Sequence, residues 1–283
     1  MNIPANINLL YAPVQPSIRG SAEDVLYREY APHEQLKNVI YCYWQLKTTT
    51  PLSGDFIYRV VADGCIDIYF EPGNPPENYV MGFSSKYTEF SLGNSFHYIG
   101  IRFLPTMFPQ LFRINAAELS NRYEALSAVA PAISRFIEAH FHDRLSMTEI
   151  VRMLDDWFLQ LSGKVNFNAD SRLYEAMDII VKSAGMAHLE SDIKTGISAR
   201  QLRRLFEYYV GDTPKTFSKI VRFQQILRAK PSVQSLRQNK LFFDAGYYDQ
   251  AHFIKDFREF TGMSPKSFFA GSLQFAALFA SAE

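Results

Sequence analysis

Leu189-Glu190-Ser191-Asp192-Ile193-Lys194-Thr195-Gly196-Ile197-Ser198-Ala199-Arg200-Gln201-Leu202-Arg203-Arg204-Leu205-Phe206 reads as a short helix, a glycine turn and a second helix. The pattern returns as Leu241-Phe242-Phe243-Asp244-Ala245-Gly246-Tyr247-Tyr248-Asp249-Gln250-Ala251-His252-Phe253-Ile254-Lys255-Asp256-Phe257. Aligned on Gly196 and Gly246, the copies match Ile197 with Tyr247, Leu202 with Phe253 and Phe206 with Phe257, the second being one residue longer. Such self-similarity marks an internal repeat, and each copy has the form of a helix-turn-helix. Each glycine stands where a left-handed residue ends a helix, a conformation that costs glycine little. Ser198 and Asp249 then stand at N-cap positions, where a side-chain oxygen accepts a backbone N–H left over at the helix start. Leu202, Leu205 and Phe206, like Phe253, Phe257 and Phe260, recur at helical spacing and read as core.

The residues between these stripes carry the chemistry. Arg200, Gln201, Arg203 and Arg204 crowd the first turns of the second helix in copy one. Arg forks to guanine O6 and N7, and Gln pairs with adenine, so these types suit the major groove of DNA. In copy two the equivalent face holds Gln250, Ala251, Ile254 and Lys255. Ala and Ile suit a thymine methyl, and Lys a guanine or a phosphate. Three arginines on one helix would otherwise read as a solvated basic face. Their place at the start of the second helix of a repeated glycine-turn motif favours the DNA reading.

From Leu173 to Ala270 the chain resembles the DNA-binding domain of the AraC/XylS family of transcription regulators. The resemblance rests on Gly246-Tyr247-Tyr248-Asp249-Gln250-Ala251-His252-Phe253-Ile254-Lys255-Asp256-Phe257, continued by Gly262-Met263-Ser264-Pro265-Lys266-Ser267-Phe268. The first copy ends in the parallel form Gly211-Asp212-Thr213-Pro214-Lys215-Thr216-Phe217. This implies two helix-turn-helix units bridged by a long helix, each placing its second helix in successive major grooves. Arg200, Arg203 and Arg204 would read bases from the first unit, and Gln250, Ala251, Ile254 and Lys255 from the second. One departure is that Lys230 to Asn239 is more polar than the family's usual link. Another is that Leu241-Phe242-Phe243 replaces a more alanine-rich helix.

At 283 residues the chain is too long for one such domain and suggests two. Its net charge of zero argues against a DNA binder until the chain is divided. Residues 1–169 hold 13 Lys and Arg against 17 Asp and Glu, whereas residues 170–283 hold 16 against 12. The attraction for phosphate therefore belongs to the C-terminal part.

The expected fold class is α+β in two domains, a β-rich barrel or sandwich with flanking helices followed by an all-α tandem helix-turn-helix. The expected boundaries are 1–162 for sensing and dimerisation, a linker over 163–169, the DNA-binding domain over 170–270, and an apolar tail over 271–283. Residues 1–24 read as an irregular arm. Beyond it Val39–Leu46, Phe56–Val61, Ile66–Phe70, Tyr79–Phe83, Lys86–Leu92 and Phe96–Phe103 are strand-like. Asp63-Gly64 is a hairpin-turn signal and 72–76 a loop. After Pro105 the chain turns helical, with a capping box at Ser146–Glu149. Ile150, Met153, Leu154, Trp157, Phe158 and Leu161 form one apolar stripe, suited to the barrel or to a second subunit. The N-terminal half resembles the β-rich sensor domain of a subset of AraC-like regulators. The matching residues are Tyr43-Trp44, Val61-Ala62-Asp63-Gly64-Cys65-Ile66-Asp67-Ile68 and Gly100-Ile101-Arg102-Phe103-Leu104-Pro105.

An aromatic-lined barrel mouth is a usual ligand site. Trp44, Arg59, Tyr69, His97 and Arg102 are the expected ligand-binding residues, against the plainer reading of core aromatics and structural ion pairs. Asp63, Asp67, Tyr58 and Tyr98 belong to the same inventory. No cofactor, metal or catalytic residue is indicated. The six histidines show no pairing at helical spacing, and no phosphate loop, dinucleotide fingerprint or nucleophile elbow occurs. The two cysteines, Cys42 and Cys65, read as buried thiols, with a single bridge between them as the alternative. No signal peptide and no long apolar run appear, which suggests a cytoplasmic protein without membrane contact. The expected function is a sequence-specific transcription regulator, not an enzyme. Its expected partners are double-stranded DNA, a small-molecule effector, a second copy as a homodimer, and RNA polymerase. The alternative is an effector-binding or interaction module whose C-terminal domain lacks specific DNA affinity.

Overall fold

The computed structural model describes residues 11–15, 24–167, 170–229 and 246–270. Eight strands form among them: β1 (Val25–Tyr30), β2 (Ile40–Thr48), β3 (Phe56–Val60), β4 (Ile66–Glu71), β5 (Asn74–Met81), β6 (Thr88–Leu92), β7 (His97–Phe103) and β8 (Tyr123–Ala125). Six make one antiparallel sheet in the order β1-β2-β7-β4-β5-β8, and β3 pairs with β6 in a second.

The alternation within β4 explains both faces of the larger sheet. Ile66, Ile68 and Phe70 are buried on one side, while Asp67, Tyr69 and Glu71 are half-buried on the other. The first face packs under helices, with Ile68, Phe70, Ile101 and Phe103 joining Phe108, Ile133, Leu154 and Phe158 in one core. The second face meets the two-stranded sheet through a smaller cluster of Trp44, Leu46, Phe56, Tyr58 and Phe96. The architecture is thus a sandwich; among the described residues no strand pairing closes the two sheets into a barrel.

Asp63-Gly64 does not make a hairpin, because β3 and β4 lie in different sheets. It carries the chain across instead. Gly64 is left-handed at φ 72°, and the Asp63 carboxylate accepts the Cys65 N–H at 2.9 Å, an Asx turn. Strand β5 starts at Asn74, inside the stretch read as a loop, and Pro75 and Pro76 sit in it. Cys42 and Cys65 are both buried free thiols.

Helices α1 (Met107–Phe112), α2 (Leu126–Val129), α3 (Pro131–His140) and α4 (Met147–Lys164) complete this part. The capping box forms at the start of α4 as expected. Ile150, Leu154 and Phe158 are fully buried against the sheet's helical side, while Met153, Trp157 and Leu161 of the same stripe pack on that core half-buried. Helix α4 also runs two residues past the expected boundary at 162.

The C-terminal part contains α5 (Ser171–Lys182), α6 (Ala199–Tyr209), α7 (Pro214–Arg228), α8 (Gln250–Thr261) and α9 (Pro265–Ala270). Two of its helices are the expected second helices of the repeat, α6 and α8. The short helix expected before Gly196 is instead a run of turns with one helical hydrogen bond, from Asp192 N–H to His188 O at 2.8 Å. The Asp192 side chain accepts the His188 N–H at 2.8 Å, a local bond that competes with helix formation. The helix expected before Gly246, the polar link over 230–239 and the tail over 271–283 lie outside the described residues.

The two parts share one continuous core, in which Phe83 and Phe103 belong to the same cluster as Phe206, Phe217 and Phe257. Tyr11 and Val14 of the N-terminal arm sit in the seam. The Tyr11 hydroxyl donates to Asp63 O, and Val14 N–H donates to Gln224 Oε1 at 2.7 Å. Gln224 on α7 in turn donates to Ala62 O at 2.8 Å.

Candidate nucleic-acid interface and ligand cavity

Helix α6 begins at a capping box. Ser198 Oγ accepts Gln201 N–H at 3.3 Å, and Gln201 Oε1 accepts Ser198 N–H at 3.1 Å. Leu202 and Phe206 anchor its inner face, which packs on α1 and on the short helical turn Ala116–Leu119. Arg200, Gln201, Arg203 and Arg204 are all exposed on the outer face. They are not equivalent. Gln201 spends its side-chain oxygen on the cap, and Arg203 Nε donates to Glu207 at 2.8 Å. Among the described residues, Arg200 and Arg204 have no ion pair, which leaves both forks open toward solvent.

Helix α8 is capped by Asp249, whose carboxylate accepts His252 N–H at 2.7 Å. Gln250, Ala251 and Lys255 are exposed, whereas Ile254 is half-buried and packs on the core. Tyr248, in the turn ahead of this helix, is 88% exposed. Its ring was not singled out by sequence, because a tyrosine beside Tyr247 reads as core; only the fold shows that the second ring points outward. Gly196 and Gly246 are both left-handed, at φ 74° and 72°.

Helix α7 braces the two units. Arg222 donates to Gly185 O at 2.7 Å and to Gly246 O at 3.2 Å, and its guanidinium lies 5.2 Å from the Tyr247 ring centroid. Lys219 pairs with the buried Asp256 of α8 at 3.1 Å.

A cavity of about 540 Å³ lies between the two sheets of the N-terminal part. That is within the usual range for small-molecule sites. Trp44, Tyr69 and Arg102 line it, as do Asp67, Tyr58 and Tyr98. Gly100 makes room for the Trp44 indole: a Cβ there would stand 1.9 Å from the ring. The indole N–H donates to Asp67 Oδ2 at 2.9 Å. Arg102 is only 2% exposed and pairs with Asp67 at 3.0 Å, Asp63 at 3.4 Å and Glu29 at 3.7 Å. Burial pushes the Asp67 carboxyl up to about 6, against the opposing pull of Arg102.

Two of the expected ligand residues are placed elsewhere. His97 lies on the opposite face of β7, where its Nε2 is 2.8 Å from Gln45 Nε2, and burial lowers its imidazole pKa. It does not line the cavity, because side chains one residue apart on a strand point to opposite faces. Arg59 also leaves the lining. It reaches across the seam, donating to Glu89 Oε1 at 2.9 Å and to Thr261 O at 3.2 Å, and stacks 5.2 Å from the Tyr87 ring centroid. The lining residues that sequence reasoning passed over include Glu71, Glu77, Tyr79, Glu89, Phe90 and Tyr123. The period-two continuation from Asp67 and Tyr69 would have found Glu71; the others needed the pairing of strands distant in sequence.

Among the described residues no group of three or more His, Cys, Asp or Glu is placed to hold a metal ion. No helix there is long and apolar enough to cross a membrane.

Residues 193–271 match a family model described as a helix-turn-helix domain. Residues 28–125 match one described as a domain of unknown function, DUF6597. No curated protein matches the chain. Among solved structures, ToxT from Vibrio cholerae O395 is similar at 10% identity and a TM-score of 0.43, over 88% of this chain and 98% of that one. Unsaturated fatty acid bound wild-type ToxT from Vibrio cholerae strain SCE256 is similar at 11% identity and a TM-score of 0.40, over 89% and 97%.

Proposed function

We propose that this chain, whose C-terminal part is an AraC-type helix-turn-helix domain, is a sequence-specific DNA-binding transcription regulator controlled by a small molecule in its N-terminal cavity. The observation that carries the reading is the pair of open forks, Arg200 and Arg204, in the first turns of a helix held at its start by a capping box. Guanidinium groups so placed suit bidentate contact with guanine. Gln250, Ala251 and Lys255 supply the face of the second unit, and the exposed Tyr248 hydroxyl suits a phosphate. Ile254, being half-buried, offers only its edge to a thymine methyl. Arg203 and Gln201 serve first to hold the helix and its neighbours.

The cavity reaches the reader through Arg59. This one side chain joins Glu89 of the cavity wall to the carbonyl of Thr261, the last residue of α8. A ligand that engages Glu89 competes with Arg59 for the same carboxylate and changes what holds the second unit. Homodimerisation on adjacent sites, contact with RNA polymerase, activation and a cytoplasmic setting belong to the same reading.

Selection of bound sequences from a random DNA pool by the full-length protein, repeated across salt, tests the DNA reading. The expected result is a sharp motif with two half-elements one helical turn apart, about 10 base pairs. Weak binding without a motif, lost as salt rises, would mean either that an effector must first release the DNA-binding part or that the chain is an effector-binding module without specific DNA affinity, and the same selection with residues 170–283 alone decides between them.

A further inference from the structure

The cavity carries a net negative charge. Asp67, Glu71, Glu77 and Glu89 line it, against Arg102 as the one lining cation among the described residues. Arg102 is already held by Asp67 and Asp63, with Glu29 behind them, so it offers no uncompensated positive charge. Glu89 is answered by Arg59. Glu71 and Glu77 have no ion pair among the described residues; Glu77 accepts only the Tyr79 hydroxyl. Burial, and then the Glu77 charge, push the Glu71 carboxyl upward, as expected where two carboxylates lack a counter-charge.

Aromatic rings stand beside these carboxylates. Tyr69 lies 5.6 Å from Tyr79 and 6.3 Å from Tyr98, centroid to centroid, and all three line the cavity. Ring faces attract cations, about 0.5–1 kcal/mol each at partly exposed sites such as this one. A carboxylate ligand would meet like charge here, while a purely apolar one would leave Glu71 and Glu77 unanswered. Trp44, Leu46 and Leu92 supply apolar surface to the same cavity.

We propose that this cavity takes an organic cation, its ammonium group among Glu71, Glu77 and the tyrosines and its apolar remainder against Trp44 and Leu46. The proposal rests on the reading that the cavity is the effector site and adds the chemical class of the effector. Three probes of equal chain length separate the two: octyltrimethylammonium, octanoate and octanol, titrated calorimetrically into the full-length protein. Octyltrimethylammonium should bind at least ten-fold more tightly than octanoate. The double variant Glu71→Gln, Glu77→Gln should lose at least ten-fold of that affinity while its octanol affinity and thermal midpoint stay unchanged. Both carboxylates are at least partly exposed, so the variant keeps its core. Octanoate or octanol binding as tightly as the cation, or a double variant that binds the cation undiminished, would overturn the charge assignment and leave the effector cavity standing. Failure of all three probes would overturn both, and leave the DNA reading to the selection described above.

Discussion

Trp44 and Gly100 show how much one absent atom can decide. Strand β7 lacks a side chain at Gly100, and the neighbouring indole fills the space, reaching Asp67. In Gly100→Ala a Cβ would displace the ring and break the Asp67 bond. The expected cost is about 1–3 kcal/mol of stability, with a red-shifted tryptophan emission, read by denaturant unfolding followed by fluorescence. On the reader, Arg204→Ala should cost about 1–3 kcal/mol of binding to the selected site and relax preference at one base pair. Equal loss across all sequences would reassign it to phosphate. Arg203→Ala should cost less, since Glu207 already holds that guanidinium. Binding measured on single-base variants of the site distinguishes these outcomes.

At the scale of elements, the two repeats end alike, and the N-terminal part grips both at the same position. Gly211 and Gly262 each follow a recognition helix with positive φ, 111° and 71°. Phe83 and Ser120 press on the first, where Ser120 Oγ donates to Gly211 O, and the Tyr87 ring presses on the second. A Cβ at Gly211 would stand 2.7 Å from Phe83 Cβ. Gly211→Ala should therefore destabilise the protein by about 1–3 kcal/mol, through both the backbone conformation and the crowded seam. Thermal unfolding of the variant, with faster proteolysis across the seam, is the check. Losing the cap at Ser198 has a different signature. Ser198→Ala should cost about 1 kcal/mol of stability, and DNA affinity should fall with it because the first turn holds Arg200.

At the scale of the whole molecule, hydrogen bonds cross the seam between the two parts at several places. Gln224 joins α7 to Ala62 and Val14, Tyr87 N–H donates to Glu259 O at 3.2 Å, and Arg59 bridges the cavity wall to Thr261. Arg59 is partly exposed, so its ion pair with Glu89 contributes little to stability by itself. Arg59→Ala should leave thermal stability within about 1 kcal/mol. It should nonetheless change DNA affinity in the absence of effector and reduce the difference an effector makes. Paired titrations of DNA with and without a cavity ligand measure that difference; an unchanged difference would remove Arg59 from the coupling path.

Local order was legible in the chain itself. The repeat, the two left-handed glycines, the caps at Ser146, Ser198 and Asp249 and the core stripes of α4, α6 and α8 follow from spacing and residue chemistry. Each depends on neighbours within a few positions, where periodicity and hydrogen-bonding geometry act directly. The exposed Arg200 and Arg204 were readable for the same reason. Other features depended on contacts between residues far apart in the chain. Asp63-Gly64 looks like a hairpin, yet it crosses between sheets because β4 finds β7 and β5 rather than β3. His97 and Tyr98 are adjacent in sequence, but strand pairing alone sends one away from the cavity and the other into it. The residues before Gly196 look helical and are turns, since the Asp192 carboxylate takes the His188 N–H and only one helical bond forms. Sequence thus determined a helical C-terminal part with a helix-turn-helix domain behind a β-rich, aromatic part. Only the tertiary structure decided which carboxylates face one cavity and which arginine joins its wall to the end of α8, because both depend on contacts between residues as far apart as Arg59 and Thr261.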